Sequence, residues 1–375
     1  MTTAQPFLPA ACPRLVIKIG SSLLVDPDGG VRRDWLASLV ADIAARHAAG
    51  QRPVIVSSGA IALGAQRLGL PKRGRASVED AQAAAATGQI ALSQVWADLL
   101  GRHGLTAAQI LVTLDDLEDR RRYLNASATL DRLLSLGVVP VINENDSVAT
   151  TEIRFGDNDR LAARVAQAAG AGGVILLSDV DGLFSANPAR DPDAAMIDRV
   201  ERIDAAVLAM ATADTASGMG SGGMASKLEA ARIATGAGIA LAIASGQHDH
   251  PLARFDSSGR GTLFVADRRG GARKAWLSGR LRVKGRILVD AGACAALRSG
   301  KSLLAAGVTG VEGLFARGDA VDVVGPDGAV LARGLIEYDS GDAARIAGRR
   351  SAAHADLLGY APRAALIHRD HLVML

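Results

Sequence analysis

The chain has 375 residues, 49% hydrophobic and 22% charged, with a formal net charge of +3. That length is room for two domains, and the composition is that of a folded protein with a large core rather than a disordered one. No run approaches the ~18 apolar residues of a membrane span, the first residues lack the regions of a secretory signal, and the two cysteines, Cys12 and Cys294, make neither a disulfide framework nor a zinc spacing. A cytoplasmic setting without a membrane partner is expected.

In chain order, residues 14–19, RLVIKI, read as a buried strand that ends at Gly20-Ser21-Ser22. Residues 32–49 follow as an amphipathic helix stopped by Gly50. Pro53 to Val56 is a strand that opens into Ser57-Ser58-Gly59 and a helix. Residues 78–103 are Ala-rich and helical, QILVT at 109–113 is a short strand, and Asp115 and Asp116 open a helix to about Leu136. An apolar strand, Val138 to Ile142, then breaks into Asn143-Glu144-Asn145-Asp146. A second polar knot, Gly156-Asp157-Asn158-Asp159, begins a helix to about Ala169. After the strand of 172–179 come a helix near 204–212, the glycine-rich GMGSGGMASK, a helix to about Thr235 and the strand IALAIAS.

Strands of four to seven apolar residues alternating with helices indicate α/β; a mostly parallel sheet sandwiched by helices. Ligands of such sheets collect at the carboxyl ends of the strands. Gly20–Ser22, Ser57–Gly59, Asn143–Asp146 and Ser178-Asp179 all fall there. From about Lys274 the segments become short, β-rich and punctuated by Gly and Asp, as in a small C-terminal β-barrel. The expected division is 1–270 and 271–375. The second part carries 15 basic against 10 acidic side chains, while the first carries 27 against 29. An anionic partner of the tail and a merely Arg-rich surface both fit that balance.

Only six of the 42 basic residues are lysines. A lysine in a chain that otherwise writes arginine raises the question of whether a planar fork would fail where a compact point charge stands. Two of the three that precede residue 270, Lys18 in KIGSS and Lys227 in GSGGMASK, sit beside glycines. A lysine inside an apolar strand needs a negative partner. Gly218, Gly220 and Gly223 match G-x-G-x-x-G, but a helix and not a strand precedes them, which excludes the dinucleotide fingerprint. What remains is a loop of small residues able to bring N–H groups to an anion at a helix start, with Lys227 in reach. If both lysines face one cleft they bracket a polyanion such as a nucleotide triphosphate.

Ser57-Ser58-Gly59 supplies hydroxyls and N–H groups, or simply caps a helix. The NEND cluster offers acceptors to an ammonium group. Asp159 is either a first-turn helix charge or the carboxylate that holds ammonium groups in place and protonated. Ser178-Asp179 suits a ribose or base, or a turn. His368-Arg369-Asp370 imitates a kinase catalytic loop without its downstream Asn, and His248-Asp249-His250 lacks a further ligand cluster, so no protein metal site is expected.

KIGSS, IVSSGAIALG, VINENDSVAT, FGDNDRLAA, LLSDVDGL and GSGGMASK, in this order and spacing, resemble the glutamate 5-kinase (gamma-glutamyl kinase) family over nearly the whole chain. The resemblance implies an amino-acid kinase-like fold for 1–270 and a PUA-like domain for 271–375. It implies transfer of the γ-phosphoryl of ATP to the side-chain carboxylate of L-glutamate, giving glutamyl 5-phosphate, the first step towards proline. Lys18 and Lys227 then match the lysines that neutralise the phosphoryl, and Asp159 the carboxylate that organises them. Ser58, Asp146 and Asn158 match glutamate binders, with Asn143 and Gly59 close by. Lys18, Ser178, Asp179 and the run Ser221, Gly222, Gly223, Met224, Ala225, Ser226 and Lys227 match the ATP site. Serine stands at 21, 178 and 221 where threonine is common in the family, which keeps a hydroxyl. Mg2+ carried on the phosphates, feedback inhibition by proline and homo-oligomerisation are implied in the same way. Two other readings stay open: another amino-acid or carbamate kinase of the same fold, and an RNA-binding protein acting through its C-terminal domain. Against the latter, Trp276, Phe315, Tyr338 and Tyr360 are scattered and form no stacking platform in sequence.

Overall fold

Short runs of β-branched residues, each bounded by glycine or a polar cluster, set the centre of the fold. A computed structural model describes residues 2–26, 29–148, 158–188, 190–212, 223–267, 283–363 and 365–375. The chain divides into two compact units, Met1–Glu118 with Ala126–Arg268, and Asp119–Asn125 with Arg269–Leu375. No helix among the described residues is long and apolar enough to cross a membrane.

In the first unit the strands are β1 (Arg14–Ile19), β2 (Arg52–Ser57), β3 (Ala107–Val112), β4 (Val139–Glu144), β5 (Gly173–Ser178), β6 (Leu183–Phe184), β7 (Met196–Ile197), β8 (Arg199–Val200), β9 (Ala240–Ser245) and β10 (Thr262–Phe264). The helices are α1 (Ser21–Leu24), α2 (Arg33–Ala48), α3 (Ala60–Leu68), α4 (Val78–Gly101), α5 (Leu114–Glu118), α6 (Arg120–Ser135), α7 (Asn158–Ala168), α8 (Ala205–Thr212), α9 (Met224–Gly236) and α10 (Pro251–Ser258). Among the described residues eight strands form one sheet in the order β3-β4-β2-β1-β5-β9-β10-β8, and β6 and β7 form a separate ladder. The six strands from β3 to β9 in that order run parallel; β10 reverses against β9.

The register brings Lys18 level with Val56 of β2 and Leu176 of β5, so it lies in the middle of the sheet. Alternation along β1 does the rest. Leu15, Ile17 and Ile19 pack into a core with Leu36, Leu39 and Ile43 of α2, while Lys18 points to the face against which α7 packs.

Three elements depart from the sequence reading. Strand β4 does not break at Asn143 but continues through Glu144, because the register with β3 pairs Asn143 with Leu111 and Glu144 with Val112. The helix from Asp115 to Leu136 is two helices. A reciprocal cap starts α5, with Thr113 N donating to Asp116 Oδ2 at 2.8 Å and Asp116 N to Thr113 Oγ1 at 3.1 Å. Asp119 then restarts the chain as α6 by accepting from Arg122 N at 2.9 Å. The third departure is a set of short elements that the sequence reading did not place: α1, β6, β7, β8, α10 and β10.

The second unit has β11 (Gly285–Val289), β12 (Val308–Gly313), β13 (Ala320–Val324), β14 (Val330–Leu335) and β15 (Leu372–Met374), with α11 (Ala291–Arg298), α12 (Ser340–Ile346) and α13 (His354–Leu358). The five strands form one sheet in the order β12-β11-β13-β14-β15. Its core gathers Ile287, Val289, Val321, Val323, Ala332, Ile336 and Ile367. Asp290 and Asp339 cap α11 and α12 by accepting from Ala293 N and Asp342 N.

Candidate active site

Three of the expected residues meet in one ion cluster. Asp159 is the second residue of α7 and is fully buried. Lys18 Nζ lies 2.6 Å from its Oδ1, an ion contact rather than a well-directed hydrogen bond. Lys227 Nζ lies 3.4 Å from Oδ2. Both lysines are buried, at 6% and 7% exposure. Burial pushes the Asp159 carboxyl up, but Lys18 and then Lys227 outweigh it and hold the group below the usual carboxylate range. One carboxylate thus serves two ammonium groups, and the cluster carries one net positive charge with little water.

Lys227 sits four residues into α9 by way of Gly223, the N-cap residue. Among the described residues a side chain at Gly223 would meet nothing within 4 Å. Met224, Ala225 and Ser226 form the first turn. The free N–H groups of the α9 start, with Lys227 directly after its first turn, are suited to an anion. Ser221 and Gly222 lie outside the described residues, as do Gly156 and Asp157. On the neighbouring strand Ser178 Oγ donates to Asp179 Oδ1 at 3.0 Å. Ser178 follows the Ile19–Leu177 pair by one residue, which puts it at the same sheet edge as KIGSS.

A second cluster, of amides, lies at the carboxyl ends of β2 and β4. Asn158 Nδ2 donates to Ser58 Oγ at 2.7 Å, and its other contacts are Ser57 O and Asn143 Oδ1, both at 3.1 Å. Asn158 Oδ1 is buried and has no hydrogen-bond partner among the described residues. Gly59 caps α3 with φ +106°, a left-handed conformation that favours glycine. Asp146 is 8% exposed; burial pushes its carboxyl up to about 6, with the Arg75 charge pulling partly the other way. Asn158 and Asp159 are adjacent, so the amide and ion clusters share one helix start.

The sequence reading missed two contributors. Gln247 Nε2 donates to the Asp179 carbonyl at 2.6 Å and ties the loop after β9 to the Ser178-Asp179 corner. Gln89, on α4, accepts from Asn143 Nδ2 at 2.8 Å. Its only trace in sequence is a polar residue amid AAAATGQIAL. The His248–His250 segment helps hold the fold together. His250 Nδ1 is 2.8 Å from Asp42 Oδ1, and Asp42 Oδ2 accepts from Leu252 N and Ala253 N at the start of α10.

A polyanion is what two ammonium groups and a glycine-capped helix start have in common as a ligand. Set at the carboxyl edge of a sheet of this order, they define a phosphotransferase of the amino-acid kinase class. The model of the amino acid kinase family matches residues 13–245, and that of the PUA domain matches 285–358. A protein named glutamate 5-kinase from Sphingopyxis alaskensis is 69% identical over 369 residues, 98% of this chain and 99% of that one. Proteins of the same name from Zymomonas mobilis and Novosphingobium aromaticivorans are 65% and 63% identical, over 98% and 99% of this chain and 93% and 98% of theirs. The chain belongs to the glutamate 5-kinase family.

Proposed function

We propose that the protein transfers the γ-phosphoryl group of ATP to the side-chain carboxylate of L-glutamate, giving glutamyl 5-phosphate and ADP. The observation that carries this reading is the shared helix start. Asn158 faces the amide cluster, and Asp159 gathers the two lysines, so an amino-acid subsite adjoins a polyanion subsite. A carboxylate oxygen attacks phosphorus as the bond to the bridging oxygen breaks, and ADP leaves with that electron pair. The nucleophile is already an anion, so no general base is needed. The obstacle is repulsion between a carboxylate and a polyphosphate, and catalysis is positioning and charge neutralisation.

In this reading Lys18 and Lys227 meet the transferring phosphoryl, and Asp159 holds them at one place. A lysine at ~4 Å from a phosphoryl oxygen gains on the order of 4 kcal/mol at an effective dielectric of ~20. Ser58, Gly59, Asn143, Asp146 and Asn158 hold the amino acid; Ser178, Asp179 and the segment up to Lys227 hold the nucleotide. Asp159 is engaged by two ammonium groups, and no group of three or more acidic, His or Cys side chains gathers among the described residues. These residues do not fit a protein cage for Mg2+; the ion belongs to the phosphates, where it neutralises charge. Inhibition by proline and self-assembly accompany the proposal.

The test is incubation with ATP and L-glutamate in hydroxylamine, which traps an acyl phosphate as the hydroxamate. Product with glutamate, and none with aspartate or carbamate, is expected. Product with another acceptor in preference to glutamate refutes the assignment.

A further inference from the structure

We propose that Gln89 is a positioning residue of the amino-acid subsite: acting through Asn143, it decides which atom of Asn158 is left to meet the ammonium group of the substrate. This rests on the phosphotransfer reading above and deepens it. Gln89 lies on α4, outside every motif that carried the family resemblance, and it is 8% exposed.

Donors and acceptors must balance in a buried amide network. Asn143 is 2% exposed, so each of its polar atoms needs a partner within the protein. Its Oδ1 accepts from Glu144 N at 2.9 Å and faces Asn158 Nδ2 at 3.1 Å. Its Nδ2 donates to Gln89 Oε1 at 2.8 Å. Ser93 in turn orients Gln89: Gln89 Nε2 donates to Ser93 Oγ at 3.3 Å, and the Ser93 hydroxyl has acceptors in Gln89 O at 2.7 Å and Gln109 Oε1 at 2.8 Å. The relay runs from α4 through Asn143 to Asn158. Because Asn158 spends its NH2 on Ser58, Ser57 and Asn143, its Oδ1 is left buried and open among the described residues.

An open buried acceptor beside a serine hydroxyl suits an ammonium group, and hence an amino acid. Removing the Gln89 oxygen strands the Asn143 NH2 group. Asn143 must then shift to find another acceptor, and its Oδ1, which meets Asn158 Nδ2 and so fixes the turn of that amide, shifts with it. The acceptor meant for the substrate is thereby displaced. Gln89 is held well for this role. A Cβ at the preceding Gly88 would lie 1.8 Å from Ala60 O, so α4 meets the start of α3 backbone to backbone.

The test is steady-state kinetics of the full chain with ATP and L-glutamate, with thermal midpoints recorded alongside. Gln89→Leu is expected to raise the KM for glutamate about tenfold, from an unsatisfied buried amide, with the KM for ATP moving less than about twofold. Gln89→Glu still offers an oxygen to Asn143 and is expected to keep the glutamate KM within about threefold of wild type. In an Asn143→Ala background the Leu substitution is expected to add nothing further to the glutamate KM, because the residue through which it acts is gone. Gln89→Ala read through the same cycle stands in if the Leu variant does not fold. A folded variant with unchanged glutamate KM overturns the proposal, as do equal rises for glutamate and ATP, or effects of the two sites that multiply. Failure of the underlying reading shows elsewhere: the wild-type protein itself would then form no hydroxamate from glutamate.

Discussion

Lys18 Nζ lies 2.6 Å from Asp159 Oδ1, and that same carboxylate holds Lys227 at 3.4 Å through its other oxygen. A strand, the start of one helix and the start of another are pinned at a single fully buried group. Asp159→Asn leaves two buried ammonium groups facing each other without an anion. Breaking such a cluster is expected to cost about 3 kcal/mol of stability. It is also expected to lower kcat roughly 10²–10³-fold, as loss of a preorganised electrostatic contact does. The KM for ATP should change far less, because the two positive charges remain. The wild-type carboxyl is held below the usual range, so its stabilisation is complete above pH ~4 and is lost as pH falls through the lowered value. Urea melts at pH 7.5 and initial rates check both parts; an Asp159→Asn protein with wild-type kcat would remove Asp159 from the mechanism.

Lysine, rather than arginine, is expected to be required at position 18. The residue stands in the middle strand between Val56 and Leu176 and is 6% exposed. A guanidinium is broader and planar, and is not expected to reproduce the 2.6 Å contact of a compact ammonium with the buried Asp159 carboxylate. Lys18→Arg should therefore lose most of its kcat, about as much as Lys18→Ala at roughly 10²–10³-fold. Retained turnover with arginine would mean that charge alone, not its position, is what the site uses.

The six parallel strands of the sheet were legible because they are continuous apolar runs ended by glycine or polar residues, and both faces of such strands are buried; β8 and β10 are too short to give that signal. The lysines and Asp159 were legible for a related reason: charge next to an apolar strand or at a helix start needs a partner. The continuation of β4 through Asn143 and Glu144 was not legible, because pairing with Leu111 and Val112 overrides polarity. The division of the Asp115 helix was hidden by helix formers on both sides of Asp119, whose side chain acts as a cap in the structure. Gln89 could not be found at all from sequence. Its role depends on the distance between α4 and β4, which only the fold sets.

Asp146 ties acidity to both stability and substrate. Its carboxyl is raised to about 6 by burial. Between the ordinary carboxylate value of ~3.9 and that point the folded state binds a proton that the unfolded state has released, so stability falls as pH rises through this window. Two pKa units correspond to about 3 kcal/mol. Asp146→Asn is thus expected to raise the melting temperature of the ligand-free protein at pH 7.5. The same change removes the anion proposed to meet the substrate ammonium, so the glutamate KM should rise about tenfold or more. In the wild type the glutamate KM should rise as pH drops below about 6, and the Asn variant should lack that limb. Melting curves and KM against pH for the two proteins provide the check; a variant no more stable than wild type at pH 7.5 would contradict the raised value.

Finally, α3 and α4 cross with their backbones touching, and two glycines make the crossing possible. A Cβ at Gly64 would sit 1.8 Å from Ala84 O, and one at Gly88 would sit 1.8 Å from Ala60 O. Those partners are backbone atoms, which cannot swing aside as a side chain does. Neither glycine is among those with positive φ, so strain in the local conformation is not the reason for them. An alanine at either position must push the helices apart, and overpacking of this kind costs about 1–3 kcal/mol, occasionally more. The displacement carries Gln89 away from Asn143 and the start of α3 away from Asn158. Gly88→Ala is therefore expected to lower the melting temperature and to raise the glutamate KM together, whereas the KM for ATP, whose proposed residues lie on β1, β5 and α9, stays near that of the wild type. Gly69, which caps the far end of α3 with nothing within 4 Å of a Cβ and a φ of +62°, is the control. Gly69→Ala carries only the strain of a left-handed residue, about 1 kcal/mol, and should leave the glutamate KM alone. Equal kinetic effects at positions 69 and 88 would show that helix packing, as such, does not position the amino acid.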